Sequence, residues 1–320
     1  MSLLNVQNLK TYYTTRRGTV KAVDGVGIKI DKGDSLGLAG ESGCGKTTIA
    51  LSIMRLLPPN GQVTAGKAFF EGVDILRIEE ERFRREFRWK RMSMIFQGAM
   101  NALNPVFRVG DQIVQAILTH EDISKESAWE RVENLFSLVG INSNRARDYP
   151  HEFSGGMKQR AMIAMALACK PEFVVADEPV TALDVIVQAQ ILELMRNLRE
   201  KLGLSMIMIT HDLSVIADTC NKAAIMYAGK IVEQADIIKL FKYPEHPYSQ
   251  GLLANYPSIK GEKKKFKPIT GRPPQLISPP TGCRFHPRCP YAEEICRKEV
   301  PELIEIERGH YVACHMMKKH

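Results

Sequence analysis

A glycine-rich octapeptide between an apolar strand and a helix constrains this chain more than any other feature. The octapeptide, Gly40–Thr47, fits the pattern G-x-x-x-x-G-K-[ST]. An apolar strand pattern, Ser35–Ala39, precedes it, and a helical pattern runs from Lys46 to Leu57. In such a loop the glycines let successive backbone N–H groups curl around phosphate oxygens at the positive end of the following helix. The pattern therefore predicts a strand–loop–helix unit that binds the phosphates of a nucleotide.

The side chains at the end of this phosphate loop (Gly40–Thr47) have distinct predicted roles. Lys46 reaches the β- and γ-phosphates, and the hydroxyl of Thr47 ligates Mg²⁺. The predicted nucleotide contacts are Gly40, Glu41, Ser42, Gly43, Cys44, Gly45, Lys46, Thr47 and Thr48.

A second apolar strand ends in two acidic residues. Phe173–Ala176 is followed directly by Asp177 and Glu178. Taken alone, an acidic pair after a strand is a common surface feature. Together with the phosphate loop it predicts that Asp177 joins the magnesium shell and that Glu178 is the general base for the attacking water.

The order of predicted elements indicates an α/β fold. Strands are expected at Leu3–Tyr13 and Val20–Ile30, and a mostly helical stretch at about 108–170 is followed by the strand–helix–strand alternation of residues 173–210. Such alternation implies a parallel sheet covered by helices. The composition, 44% hydrophobic and 25% charged, excludes a largely disordered or collagen-like chain.

Nothing in the sequence predicts a membrane span or a secretory signal. The longest apolar run, Ala161–Cys169, has nine residues, against the roughly 18 needed to cross a bilayer. The N-terminus lacks a basic start followed by an apolar stretch, so we expect the chain to stay in the cytosol.

The composition changes after about residue 258, where a charged, lysine-rich linker at 261–265 precedes several prolines. We therefore predict one domain over 1–258 and a small Cys-rich domain over 259–320. The small domain contains Cys283, Cys289, Cys296 and Cys314.

Four cysteines in so short a cytosolic segment indicate a metal site before they indicate disulfides. Structural zinc usually shows tight C-x2–4-C knuckles. The wider gaps here, and the pair Cys289-Pro290, fit an iron–sulfur cluster better. Zinc, with His286, His310 and His315 as further candidate ligands, and free thiols or disulfides remain the alternatives.

Between the two strand-end motifs, Ser154-Gly155-Gly156 opens a helix, and here the chain resembles the ATP-binding subunits of ABC transporters. Their signature is Leu-Ser-Gly-Gly-Gln, from which Phe153 and Met157 depart. Other family elements follow in order, and they are Tyr13 (the aromatic that stacks on adenine), Gln97 (the Q-loop glutamine, near Mg²⁺), Asp184 (the D-loop) and His211 (the switch histidine).

The resemblance, over about residues 3–250, implies a phosphate-loop NTPase fold with an antiparallel β subdomain and a helical subdomain at about 98–165. It implies ATP and Mg²⁺ as ligands and a face-to-face pair of ATPase subunits. Ser154, Gly155 and Gly156 would then contact the ATP of the partner subunit, and hydrolysis would be coupled to membrane subunits.

Two further stretches, Ala102–Ile113 and His246–Leu253, resemble the dipeptide and oligopeptide importers, in which the second stretch also leads into a cysteine tail. This subfamily implies a 4Fe–4S cluster, a similar but non-identical ATPase partner, two permease subunits, an extracellular peptide-binding protein and a place at the cytoplasmic membrane face. An importer of nickel or another solute is the near alternative.

A soluble ABC ATPase that acts on nucleic acid or ribosomes is the alternative from another class. Only 57 residues separate Gln97 from Ser154, which leaves no room for the long coiled coil of the chromosome-maintenance relatives. The net charge of +8 suits several anionic partners, and a basic run at 82–91 is either a solvated helix face or a contact with anionic lipid or the permease. We expect no nucleic-acid partner.

Overall fold

The structure is a computed structural model that describes residues 2–98, 102–254 and 269–319. They form two compact units, the first made of Met1–Leu76 with Met208–His320 and the second of Arg77–Ile207. The predicted domain boundary near residue 258 and the charged linker at 261–265 lie outside the described residues.

The first unit begins with β1 (Ser2–Thr15), β2 (Gly18–Asp31), β3 (Ser35–Ala39), α1 (Lys46–Ile53), β4 (Gly61–Phe70) and β5 (Val73–Asp74). The second unit contains α2 (Glu80–Glu86), β6 (Met92–Ile95), α3 (Val109–His120), α4 (Lys125–Leu138), α5 (Gly155–Ala166), β7 (Phe173–Asp177) and α6 (Val185–Leu202). After β8 (Ser205–Ile209) the first unit continues with α7 (Leu213–Thr219), β9 (Lys222–Tyr227), β10 (Lys230–Asp236), α8 (Ile237–Lys242), α9 (Pro247–Leu253), α10 (Glu294–Lys298), β11 (Ile304–Glu307) and β12 (His310–Val312).

An antiparallel sheet in the first unit has the strand order β2-β1-β4-β5. The predicted strands at 3–13 and 20–30 are confirmed and are longer than predicted. One face is closed by alternate apolar side chains such as Leu4, Val6 and Ile28, which are almost completely buried. Strand β4 was not predicted, because its first half is rich in exposed polar residues and glycine.

A second run of strands in the first unit has the order β11-β12-β10-β9-β3. The phosphate loop follows β3, which pairs in parallel with β9 and is buried along its whole length. Its apolar sequence is typical of a strand covered on both faces. The tail strand β12 pairs with β10 through Glu233 opposite Val312, so the described tail residues extend this sheet.

The second unit holds the parallel pair β6 and β7 and most of the helices. The helical stretch predicted at 108–170 is confirmed as α3, α4 and α5 with loops between them. Helix α6 begins at its N-cap Asp184 and ends at Gly203, whose left-handed φ of 63° provides a helix stop. Helix α1, in the first unit, ends at Ile53, before the predicted Leu57, and Arg55 has a left-handed backbone (φ 53°).

Candidate nucleotide site

The phosphate loop has a backbone that only glycine accommodates at two positions. Gly40 and Gly45 have φ values of 149° and 109°. A Cβ atom at Gly40 would lie 2.1 Å from the carbonyl oxygen of Met226, and one at Gly45 would lie 2.1 Å from that of Ala22. Positive φ and close backbone contact therefore both require glycine here.

The side chain of Lys46 lies back along the loop. Its ammonium group donates to the carbonyl oxygens of Gly40 (2.7 Å) and Glu41 (3.1 Å), and the residue is only 6% exposed. Gly45 is the N-cap of α1 and Thr47 lies exposed in the first turn of that helix. The loop therefore presents a cation and a helix N-terminus together, an arrangement that favours anionic ligands.

The two neighbouring tyrosines of β1 have different environments. Tyr12 donates a hydrogen bond to the carboxylate of Asp24 at 2.9 Å. Tyr13 packs on Gly61, where an added Cβ would lie 2.6 Å from the tyrosine ring, and its hydroxyl lies 3.2 Å from that of Thr48. Tyr13, the predicted adenine contact, is thus tied to the helix that follows the phosphate loop.

The predicted general base, Glu178, lies in the second unit, directly after β7. Asp177 is the last residue of the strand and is 1% exposed. Glu178 follows with a left-handed φ of 46°. Its Oε2 accepts hydrogen bonds from the amide of Gln97 (2.9 Å) and the hydroxyl of Thr181 (3.0 Å). Gln97 and Glu178 are therefore brought together as neighbours, and Thr181 is a contact that the sequence did not predict.

The signature segment, Ser154–Gly156, forms the start of α5. The hydroxyl of Ser154 caps the helix by accepting the N–H of Met157 at 3.3 Å. A Cβ at Gly156 would lie 2.7 Å from Val187 in the first turn of α6, which Asp184 caps through the N–H of Val187 at 2.9 Å. The starts of two helices are thus adjacent within the second unit.

The predicted site residues divide between the units. Tyr13, the phosphate loop with Thr48, and His211 belong to the first unit. His211 lies exposed between β8 and α7. The second unit contains Gln97, Ser154, Gly155, Gly156, Asp177, Glu178 and Asp184.

Two known families match the chain. Residues 23–181 match the ABC transporter family, and residues 232–296 match the C-terminal region of oligopeptide/dipeptide transporters. A probable peptide ABC transporter ATP-binding protein of Sinorhizobium fredii is 45% identical over 98% of this chain and 94% of its own. The dipeptide transport ATP-binding protein DppD of Bacillus subtilis is 46% identical over the same shares of the two chains.

The chain belongs to the family of ABC transporter ATP-binding proteins. The fold agrees with this assignment. It is similar, with a TM-score of 0.65 and 23% identity, to a dimeric ATP-binding cassette solved in a post-hydrolysis state with ADP and phosphate. That likeness covers 73% of this chain and 98% of the other.

Phe153, one of the two departures from the ABC signature, is a core residue. It is 5% exposed, and its ring packs edge-on against Phe136 of α4, with the centroids 6.4 Å apart. An aromatic ring there fills the space that a smaller leucine would leave partly empty. The departure is therefore compensated within the second unit.

Gln112 fixes part of the importer-like stretch Ala102–Ile113. The amide of Gln112 both accepts the N–H of Asn104 (2.9 Å) and donates to its carbonyl oxygen (3.0 Å). Between these residues Val106 and Phe107 are 71% and 54% exposed. The stretch thus presents apolar side chains on a loop with fixed ends.

The phosphate loop of this ABC protein has contacts that sequence reasoning missed. The N–H of Glu41 donates to the hydroxyl of Tyr248 at 3.0 Å, and the carboxylate of Glu41 pairs with both terminal nitrogens of Arg288 at 2.7 and 2.9 Å. Tyr248 belongs to the importer-like stretch at 246–253, but no local pattern singles out Arg288.

The four tail cysteines are all free thiols. Burial raises the pKa of Cys283 and of Cys314 to about 11 and also raises that of Cys289. The other three thiols add to the rise at Cys314, and the N–H of Cys283 donates to the carbonyl oxygen of Cys296 at 2.8 Å. Yet among residues 2–98, 102–254 and 269–319 no group of three or more His, Cys, Asp or Glu is arranged to hold a metal ion. The described residues therefore show neither the predicted cluster nor a zinc site.

The three histidines named as further zinc ligands have protein partners. His286 lies 2.9 Å from the carbonyl oxygen of Cys283, His315 lies 2.9 Å from that of Glu299, and His310 lies 2.8 Å from the carboxylate of Glu233. These contacts give each ring a structural role.

None of the described helices combines the length and the apolar character that a membrane crossing requires.

Proposed function

We propose that this chain is the ATP-hydrolysing subunit of a peptide importer of the ABC type. The observation that carries the proposal is the 45–46% identity, over 98% of the chain, to proteins described as peptide and dipeptide transport ATP-binding proteins. The match of residues 232–296 to the oligopeptide/dipeptide transporter region supports a peptide over nickel as the substrate. Neither match favours a role on nucleic acid or ribosomes.

The phosphate loop binds the ATP phosphates. Its exposed residues Ser42 and Gly43 leave backbone groups open to a ligand, and Lys46 supplies the positive charge. The ring of Tyr13, held against Gly61, stacks on the adenine. Gly40, Glu41, Cys44, Gly45 and Thr48 shape the loop and its helix.

The oxygen donors Thr47, Gln97 and Asp177 suit Mg²⁺, which prefers hydroxyl, carbonyl and carboxylate oxygens. A bound Mg²⁺ would neutralise phosphate charge that develops during hydrolysis. These residues belong to the Mg²⁺ proposal because of their chemistry and their positions at strand and helix ends.

Glu178 takes the proton from the attacking water. Gln97 and Thr181 fix its carboxylate by hydrogen bonds to one oxygen, which supports a positioned base. The left-handed backbone of Glu178 is a strained conformation of the kind that clusters at active sites. His211, exposed after β8, contacts the γ-phosphate side.

A second, non-identical ATPase subunit completes the site. Ser154, Gly155 and Gly156 contact the ATP of that partner, together with Asp184. The exposed side chains next to them, Val185 (80%) and Ile186 (73%), support an interface there, because large apolar side chains rarely stay so open without a partner.

The assembly would include two permease subunits and, outside the cell, a peptide-binding protein, with this chain at the cytoplasmic membrane face. Support for a permease contact comes from the exposed Val106 and Phe107, in a loop whose ends are fixed by Gln112. The same loop follows Gln97, which senses the γ-phosphate side and passes closure to the permease.

We retain the four-iron cluster as a proposal for Cys283, Cys289, Cys296 and Cys314, in a small Cys-rich domain after residue 258. Four free thiols in one short segment, with Cys283 and Cys296 joined by a backbone hydrogen bond, support it. In a four-iron cluster each cysteine binds a different iron. The cysteines therefore lie further apart than the ligands of a single zinc ion. A bound cluster would cross-link the tail.

Uptake of a labelled dipeptide by cells that lack the chromosomal copy of this gene tests the importer proposal. The wild-type chain should restore uptake and fractionate with membranes through its permease, whereas Glu178→Gln should fractionate in the same way without uptake. Release from the pellet by nuclease would instead indicate a nucleic-acid partner.

Anaerobic purification tests the cluster separately. The protein should be brown and contain iron and sulfide in equal amounts, and Cys296→Ser should lose the colour while Cys169→Ser, a buried cysteine of the second unit, keeps it. Colourless protein that carries zinc would contradict the cluster.

A further inference from the structure

The phosphate loop contains a carboxylate that should oppose its own ligand. Glu41 is the second residue of the loop, and its side chain is 26% exposed. ATP carries several negative charges, and like charges at short range repel strongly in a partly buried site. Something must compensate Glu41 if the loop is to bind phosphates well.

Arg288 provides the matching charge. Its two terminal nitrogens donate to the two oxygens of Glu41 at 2.7 and 2.9 Å, which is a bidentate pair. The Arg288 side chain is 7% exposed. A pair so shielded from water is screened far less than a surface ion pair.

The guanidinium of Arg288 is fixed on its other edges as well. Its Nε donates to the carbonyl oxygen of Thr270 at 2.9 Å, and one terminal nitrogen also lies 3.3 Å from the hydroxyl of Tyr227. The group lies over the Tyr227 ring, 5.7 Å from its centroid. Each nitrogen of the Arg288 guanidinium therefore has an acceptor.

The backbone of Glu41 is held from the same side. Its N–H donates to the hydroxyl of Tyr248, a residue of α9 that is 0% exposed. The rings of Tyr248, Tyr227 and Phe285 pack with centroids 4.6–5.3 Å apart. The ion pair therefore lies against an apolar, aromatic surface.

We infer that Arg288 is a positioning residue of the nucleotide site, which neutralises the Glu41 carboxylate and turns it away from the bound phosphates. The inference rests on the proposed function, since it requires ATP in the phosphate loop. It gives the C-terminal region of the chain a direct part in nucleotide affinity. The phosphate loop is then completed by a residue almost 250 positions further along the chain.

The test is the ATP dissociation constant of the purified full chain, measured by calorimetry in a double-mutant cycle. Arg288→Ala should weaken ATP binding about tenfold at low salt, and ADP binding less, because the bare carboxylate repels each added phosphate. Glu41→Gln in the Arg288→Ala background should restore affinity to within about twofold of wild type. Glu41→Gln alone should tighten binding, since Arg288 stays charged.

The salt dependence of ATP binding and a matched control variant distinguish an electrostatic effect of Arg288 from a structural one. The defect of Arg288→Ala should shrink as salt rises from about 50 mM to about 500 mM, because ions screen the repulsion. Lys298→Ala removes an exposed pair with Glu294 from the same region and should change nothing. Equal losses for ATP and ADP, or a double variant as weak as Arg288→Ala, would overturn the inference.

If Arg288→Ala does not fold, as judged by thermal unfolding, Arg288→Lys takes its place as the test of the inference. Lysine keeps the charge but not the fork, so ATP affinity should stay within about threefold of wild type. A tenfold loss would contradict charge compensation. If the wild-type protein binds no ATP, the proposed function itself is wrong. If the wild-type protein binds ATP and every Arg288 variant binds it with the same dissociation constant, only this inference is wrong.

Discussion

The phosphate loop and the signature segment are both glycine-rich helix starts, yet they are built differently. The phosphate loop is shaped by groups far away in the sequence, among them Ala22, Met226 and Arg288. The signature segment is shaped locally, by the Ser154 cap, with one contact to Val187 on the next helix. The first is therefore fixed by long-range contacts, while the second depends mainly on its own helix cap.

The largest effect that tests this contrast is expected at Glu178. Glu178→Gln keeps the size of the side chain but removes the base, so the hydrolysis rate should fall by about 10²–10⁴-fold. ATP binding should persist, because the phosphate loop is built without Glu178. Steady-state hydrolysis and calorimetry measure the two properties. Glu193→Gln, at an exposed position of α6, is the control, and hydrolysis retained by Glu178→Gln would refute its role.

Adding one methyl group to each glycine-rich segment compares their rigidity directly. In Gly45→Ala the new Cβ meets the backbone oxygen of Ala22 at 2.1 Å and φ is 109°, so the free energy of unfolding should fall by about 3 kcal/mol. In Gly156→Ala the Cβ meets only a methyl group of Val187, which can move, so the loss should stay below about 1 kcal/mol. Equal losses in denaturant titrations would remove the contrast.

Acid should lower the stability of the folded chain through His246, the N-cap of α9. Burial lowers the His246 pKa to about 4, and its Nδ1 accepts the N–H of Tyr248, so the folded chain keeps the ring neutral. The unfolded chain takes up a proton near the usual pKa of about 6.5. Stability should therefore be full above about pH 6.5 and fall by up to roughly 3 kcal/mol as the pH drops to about 4.

His246→Asn is the variant that isolates this effect. Its unfolding free energy should depend less on pH between about 6.5 and about 4 than that of the wild type, because one titrating group is gone. Urea titrations at several pH values measure the difference. Parallel curves for the two proteins would show that another group carries the acid sensitivity.

An effect well below that of Gly45→Ala is expected at the helix cap of the signature segment. Ser154→Ala removes the acceptor of the Met157 N–H, and the loss of such a cap costs about 1 kcal/mol of stability. Thermal unfolding against wild type measures it. A loss as large as that of Gly45→Ala would mean that the signature segment is also fixed by long-range contacts.

The same contrast explains what the sequence could predict. Local patterns identified the phosphate loop and the strand that ends at Asp177, because spacing and residue type define them, and the resemblance to a known family identified the signature segment. The contact of Arg288 with Glu41 and the pairing of β12 with β10 join residues far apart in the chain, and no local pattern specifies such partners. Strand β4 was missed because half of it is polar and exposed.

Thr181 and the tail cysteines show two other features that the sequence alone could not predict correctly. The hydroxyl of Thr181 donates to the carboxylate of Glu178 only because the chain turns after β7. The cysteine spacing predicted a metal centre, whereas the described side chains are not arranged as one. Spacing alone gives the chemistry of the donors but not their mutual distances.

The most direct test of the account is calorimetric titration of the purified chain with ATP and Mg²⁺, alongside Lys46→Ala. The wild-type chain should bind one ATP, and Lys46→Ala should bind it at least tenfold more weakly, because the largely buried cation of the phosphate loop is lost. No binding to the wild-type chain, or equal affinity in both proteins, would contradict it.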